Sequence, residues 1–309
     1  MPPRPRDGPL RSRGQAPHRA RSRPRRPGGS RRVNPPRVRL SVLSSSSAGN
    51  STVLEVSGSS RPGLVLIDAG LSPRATRTHL ASLGASDRDL AAVVLTHLDR
   101  DHFNAGWLRY LRRGVPIWLH RSHAGRATRD GILYRKSELF EDAFEPVPGL
   151  KFSAAVLSHD DLGVAVFRVT LPGSNRSLGY ATDVGRPTSA LFSHLADVDV
   201  LAIESNYCPR LQVASGRPAF LQQRIMGGSG HLSNQQSADA VSRIGVRERA
   251  ILLHLSRQCN SPEIAATAHQ DHGVPLTIAR PDEPTPWLDL TLPAPVVARR
   301  PPVAAGLFA

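Results

Sequence analysis

The sequence predicts a chain of the α/β (α+β) class, with two sheets and helices on their outer faces. Short apolar, β-branched runs begin near residue 38 and follow one another as a meander. Later runs alternate with stretches of helical period, which favours helices outside two sheets over a doubly wound sheet. No Gly-x-Gly-x-x-Gly or P-loop pattern occurs, so a dinucleotide or P-loop fold has no support.

In chain order, strands are expected at 38–44, 51–56, 63–67, 91–95, 116–119, 151–157, 163–170, 177–182, 198–203, 249–253 and 274–278. Helices fit 72–83, 103–113, 187–195, 217–225, 233–243 and 261–271. Ser72 is the expected N-cap of the first helix, with Pro73 at its first position and Gly84 to stop it. Ser233 reads as another N-cap, with Gln236 at the capping-box position.

With 309 residues and 39% hydrophobic content, the chain can bury a core and is not disordered throughout. Its net charge of +15 is unevenly placed: the first 38 residues hold twelve arginines against Asp7, which leaves a nearly neutral body. Residues 1–37 are expected to be a disordered Arg/Pro-rich tail, 38–280 a hydrolase domain, and 281–309 a Pro/Ala-rich C-terminal segment. Three readings of the tail stay open: a basic arm for nucleic acid, a transit peptide, or an extension upstream of a start near Val33. Two cysteines, Cys208 and Cys259, exclude a disulfide framework and read as reduced thiols. No apolar run reaches about 18 residues and no signal-peptide core precedes the first strand, so a soluble, cytoplasmic protein without a membrane span is expected.

The chemistry concentrates at Thr96-His97-Leu98-Asp99-Arg100-Asp101-His102, directly after the apolar run at 91–95. A helix cap explains Asp101 alone and leaves His97, Asp99 and His102 without a structural reason. His159, Asp183 and His254 each stand at the exit of a further apolar strand. Imidazoles and carboxylates converging from several segments are what zinc or manganese require, and seven side chains suit two ions that share a carboxylate. Glu204-Ser205-Asn206 lies where a second carboxylate would orient a ligating histidine. His79, His120, His123, His194, His269 and His272 lack such placement and read as surface or structural.

The order His-x-[His/Asp]-x-Asp-His, followed by His, Asp and His at strand ends, resembles the metallo-β-lactamase fold of dinuclear metallohydrolases, from about residue 38 to 280. Ser44–Thr52, Asp68-Ala69-Gly70, Ser158-His159-Asp160, Gly230–Asn234 and His254-Leu255-Ser256 are similar to the WalJ/YycJ branch of DNA exonucleases. The resemblance implies a four-layer αββα sandwich. It also implies that His97, Asp99 and His159 hold one metal, that Asp101, His102 and His254 hold the other, and that Asp183 bridges them. Asp99 departs from the pattern, since most of the superfamily has histidine there, so a weaker first site or a mononuclear enzyme stays open.

Two divalent ions about 3.5–4 Å apart would lower the pKa of a shared water and aim it at phosphorus or carbonyl. Asp101 is expected to hold that nucleophile and His231 to serve the leaving oxygen; by analogy Asn50 contacts substrate, and Ser233 and Asn234 at a helix N-terminus are expected to meet its phosphate. A basic stretch at Arg121, Arg126, Arg129, Arg135 and Lys136 offers a path for a nucleic-acid backbone. Aromatic content of 5% argues against extensive base stacking. The expected function is a metal-dependent phosphodiesterase or nuclease of the exonuclease type. A small-molecule hydrolase (cyclic phosphodiesterase or thioesterase) and a nucleic-acid-binding protein with a decayed metal site remain as alternatives. Protein partners are not readable.

Overall fold

The computed structural model describes residues 36–133, 137–159 and 161–293. Most of the expected tail, Arg135, Lys136, Asp160 and residues 294–309 lie outside the described residues.

The first sheet contains β1 (Arg37–Ser44), β2 (Ser51–Ser57), β3 (Gly63–Ile67), β4 (Leu90–Val94), β5 (Ile117–His120) and β6 (Ser137–Phe140). The second contains β7 (Ala143–Val147), β8 (Leu150–Leu157), β9 (Val164–Thr170), β10 (Ser177–Ala181), β11 (Val200–Glu204), β12 (Arg249–Leu253) and β13 (Leu276–Ile278). A short β14 (Leu288–Asp289) returns to the first sheet, whose order is β14-β1-β2-β3-β4-β5-β6; the second runs β13-β12-β11-β10-β9-β8-β7. Both sheets are mixed. The meander β1-β2-β3 is antiparallel and β3-β4-β5-β6 is parallel. Likewise β7-β8-β9-β10 is antiparallel, and β10-β11-β12-β13 is parallel.

Alternation of side chains across each strand gives every sheet two apolar faces, and three buried clusters show what covers them. Val38, Leu40, Leu54 and Val65 of the first sheet meet Phe152, Phe167, Leu178 and Ala202 of the second, so the sheets pack face to face. The outer face of the first sheet is closed by α1 (Pro73–Ser82), α2 (Trp107–Tyr110) and α3 (Ala124–Arg129) through Leu80, Trp107 and Ala127. The outer face of the second is closed by α4 (Ser189–Leu195), α7 (Asn234–Ile244) and α8 (Pro262–Ala268) through Leu191, Val241 and Ala265. The result is the αββα sandwich expected. Two further helices, α5 (Pro209–Val213) and α6 (Ala219–Met226), lie between β11 and α7.

The helix expected over 103–113 is confined to Trp107–Tyr110. The backbone after the motif is drawn into other bonds: Phe103 N–H donates to the Asp99 carbonyl, Asn104 N–H to that of Ala69, and Ala69 N–H to that of His102. Segment 281–309 is expected to follow the domain, yet its described part, residues 281–293, adds β14 to the first sheet. Thr285 bonds to Ser41 and Val42, and Leu290 joins the intersheet core.

Candidate metal centre

Strand direction gathers the site. Within the second sheet, two antiparallel steps make β8 run with β10, and β11 and β12 follow parallel. The exits of β8, β10, β11 and β12 therefore share one edge, and they carry His159, Asp183, Glu204 and His254. In the first sheet, the parallel pair β3 and β4 ends at Asp68 and at the 96–102 loop. Ligand sites outside the carboxyl ends of parallel strands are the general expectation for such sheets. Asp68, Asp183 and His254 each adopt a left-handed backbone, with φ of 60°, 54° and 55°. Strain at non-glycine residues concentrates at functional positions, and here it turns the chain sharply as it leaves each strand.

All seven side chains expected as metal ligands converge. His97, Asp99 and His159 form one group of mutually close ligand atoms, and Asp101, His102 and His254 form another. Asp183 lies between the groups: its Oδ2 is 2.7 Å from His102 Nε2 and its Oδ1 is 2.8 Å from His254 Nδ1. Asp101 Oδ2 stands 3.6 Å from His102 Nε2 and 3.5 Å from His254 Nε2. His97 Nε2 and both ring nitrogens of His254 are buried without a hydrogen-bond partner, although Asp183 Oδ1 stands 2.8 Å from His254 Nδ1. Buried polar atoms are rarely left orphaned, and ring nitrogens converging with carboxylates on one point fit a divalent cation.

The electrostatics agree with a cluster built to exchange protons for cations. Burial and the neighbouring His102 hold the His97 imidazole well below its usual range. For His254 the burial penalty is outweighed by the Asp183 and Asp101 carboxylates, which push it up to about 9. Asp183 is buried too, yet the His254 and His102 imidazoles hold its carboxyl well below the ordinary value.

Around these groups the protein sets orientation. Asp68 accepts from Thr96 N–H at 2.8 Å and approaches His102 Nδ1 at 2.8 Å, which leaves His102 Nε2 to face the cluster. Glu204, fully buried, accepts from Val184 N–H and Leu232 N–H. His231 Nδ1 lies 3.1 Å from both Asp183 Oδ1 and Glu204 Oε2, so Nε2 is its free edge. Against the cost of burial, these two carboxylates raise the His231 pKa to about 10. A Cβ on Gly70 would overlap the Asp101 carbonyl, which explains the glycine of the Asp68-Ala69-Gly70 turn.

The three residues expected to meet substrate are placed otherwise. Asn50 is buried, accepts from Ser45 Oγ and bonds to the Ser46 carbonyl, and its amide lies 3.1 Å from His102 Nε2. It braces the motif. Ser233 caps α7 in a full capping box with Gln236. Asn234 is fully buried, bonded to Ser205 and Asn260. The basic stretch also differs from expectation: Arg121 pairs with Glu141, and Arg126 pairs with Asp99. Instead, Arg217 and Arg224 line the cleft, which has a volume of about 360 Å³ and also includes Ser47, Asn206 and His231. Sequence reading missed both arginines because the signal, one arginine opening a predicted helix and one inside it, is common on solvated helices.

Residues 64–255 match the model of the beta-lactamase superfamily domain. The chain is 28% identical over 235 residues to exodeoxyribonuclease WalJ of Streptococcus pneumoniae serotype 2 (strain D39), covering 74% of this chain and 85% of that protein. It is 24% identical over 233 residues to exodeoxyribonuclease YycJ of Bacillus anthracis, covering 74% and 86%. Among solved structures, the metallo-β-lactamase fold protein YhfI from Bacillus subtilis superposes with a TM-score of 0.61 at 15% identity, over 82% of this chain and 99% of that one. With more than half its length matched, and with this sandwich and this cluster, the chain belongs to the beta-lactamase superfamily as a hydrolase of the metallo-β-lactamase fold.

Proposed function

We propose that the protein is a cytoplasmic, divalent-metal-dependent phosphodiesterase that acts on DNA as an exonuclease, with two ions held as the cluster divides. One observation carries the reading: the His/Asp cluster shares its cleft with Arg217 and Arg224, so one cavity pairs a cation-binding set with fixed positive charge suited to an anionic substrate. The Arg224 side chain makes no ion pair or hydrogen bond among the described residues, which leaves its charge for substrate. The relatives named as exodeoxyribonucleases support DNA as that substrate.

His97, Asp99 and His159 would hold one ion and Asp101, His102 and His254 the other, with Asp183 shared. Bound divalent ions supply Lewis-acid polarisation of a phosphoryl oxygen and an activated water. Asp101 would hold the attacking water in place as well as its ion. His231, anchored at Nδ1 by two carboxylates, presents Nε2–H to the leaving oxygen. Arg217 and Arg224, which line the same cleft, would hold the phosphodiester.

The test is nucleotide release from end-labelled duplex and single-stranded DNA by the manganese-loaded protein. Progressive shortening from an end, abolished in His102→Ala with the fold intact, is the expected result. Hydrolysis of a small phosphodiester without attack on either DNA would overturn the nuclease reading and leave a small-molecule phosphodiesterase.

A further inference from the structure

Asp99 is the third carboxylate among the seven converging side chains, and it differs from the other two in what stands behind it. Its Oδ2 faces the imidazoles, 3.8 Å from His97 Nε2 and 4.0 Å from His159 Nε2. Its Oδ1 accepts from Arg126 Nη1 at 2.9 Å. The same guanidinium donates from Nη2 to the Leu98 carbonyl at 2.7 Å, and its Nε lies 3.8 Å from Asp130, the C-cap of α3. Arg126 is thus forked between the side chain of Asp99 and the backbone just before it, which fixes the guanidinium beside the metal-facing carboxylate. Neither partner is fully buried, with side-chain exposures of 27% for Arg126 and 35% for Asp99, so the charges remain partly screened.

A third carboxylate has two consequences for a centre that must attract a phosphodiester. It strengthens cation binding, and it lowers by one unit the positive charge that meets the anionic substrate. We propose that Arg126 is a positioning residue that balances the charge of Asp99, so that the Asp99–Arg126 pair offers the centre an oxygen ligand with the net charge of a neutral one. The inference rests on the metal-dependent phosphodiesterase reading. It also assigns α3 a part in the site: this short helix carries a counter-charge to the metal-facing loop.

The test is a charge cycle of wild type, Arg126→Leu, Asp99→His and the double variant, with Mn2+ affinity read from free Mn2+ by electron paramagnetic resonance. Binding of a deoxynucleoside monophosphate to the Mn2+-loaded proteins is the second readout. Removing one charge a few ångströms from the centre at an effective, half-screened dielectric is worth about tenfold in each affinity. Arg126→Leu is expected to bind Mn2+ more tightly and the nucleotide more weakly. Asp99→His, which removes the carboxylate and leaves Arg126 beside Asp130, is expected to do the opposite, and the double variant to return towards wild type. Arg126→Lys, which keeps the charge and loses the fork, should stay near wild type in both readouts.

Loss of structure would weaken both affinities together, so shifts of opposite sign separate charge balance from misfolding. If Arg126→Leu fails to fold, Arg126→Gln, which keeps a donor to Asp99 and loses the charge, decides the sign in its place. Unchanged affinities in the single variants, or changes of the same sign, would overturn the inference and leave the metal reading standing. Failure of the wild-type protein to bind Mn2+ would overturn both.

Discussion

Asp68 commits its oxygens before any ligand arrives: Oδ1 accepts from Thr96 N–H and Oδ2 meets His102 Nδ1. That contact holds a proton on His102 Nδ1 and turns Nε2 to the side of Asp183 and Asp101, where a cation would take the place of its proton. In Asp68→Asn, an amide turned towards His102 would move the proton to Nε2 and block it as a ligand. We expect metal affinity to fall about 10- to 100-fold with the fold kept, measured as metal retained after dialysis against a chelator. His231 has the complementary arrangement, with Nδ1 anchored and Nε2 free. His231→Asn is expected to lower kcat about 100-fold or more while metal content is unchanged. Full activity in that variant would remove His231 from the chemistry.

Among the elements, α7 shows how local sequence and site support meet. Ser233 accepts from Gln236 N–H, the Gln236 side chain accepts from Ser233 N–H, and Gly245 closes the helix in a left-handed conformation. One residue into the helix, Asn234 ties into Ser205 and Asn260 behind the strand exit at Glu204. Ser233→Ala is expected to cost about 1 kcal/mol, read as a lower urea midpoint with unchanged slope. The α6 helix contributes charge instead of support, with Arg224 in the cleft and Phe220 exposed. Reversing that charge in Arg224→Glu should raise KM for DNA, leave kcat nearly unchanged, and reduce the salt slope of binding by about one phosphate contact.

At the scale of the whole molecule, two sheets share one core and the helices seal their outer faces. At the C-terminal end of α8, in the turn that leads to β13, a pair of neutral histidines makes this packing sensitive to acid. Val274 N–H donates to His272 Nδ1, so the proton on His272 Nε2 points to His269 Nδ1, 3.0 Å away. Burial, with His272 adding to it, lowers the His269 pKa to about 4. The unfolded chain takes up this proton near the ordinary value of about 6.5, whereas the folded chain refuses it until about 4. Stability from this group is therefore complete above about 6.5 and is lost progressively as pH falls towards 4, by up to about 3 kcal/mol. Urea midpoints at neutral pH and near pH 5 should differ less in His269→Gln than in wild type, and an equal difference would refute the assignment.

The sequence by itself determined the two-sheet class, most strand positions, the caps at Ser72 and Ser233, and the metal motif. It did so because burial alternation, capping and the polar residue at a strand exit are local properties, written within a few residues of each other. It erred at 103–113, where helical spacing lost to backbone bonds with Ala69 and Asp99. It also placed Asn50 and Asn234 at substrate, where the structure uses both to brace neighbouring loops. Only the tertiary structure decided that Asp68 orients His102, that Arg126 stands behind Asp99, and that Arg217 and Arg224 face the metal cleft. Each of these depends on which side chains of distant segments meet across the strand ends. No one-dimensional pattern carries that information, because contact between segments is settled by how the sheets and helices pack.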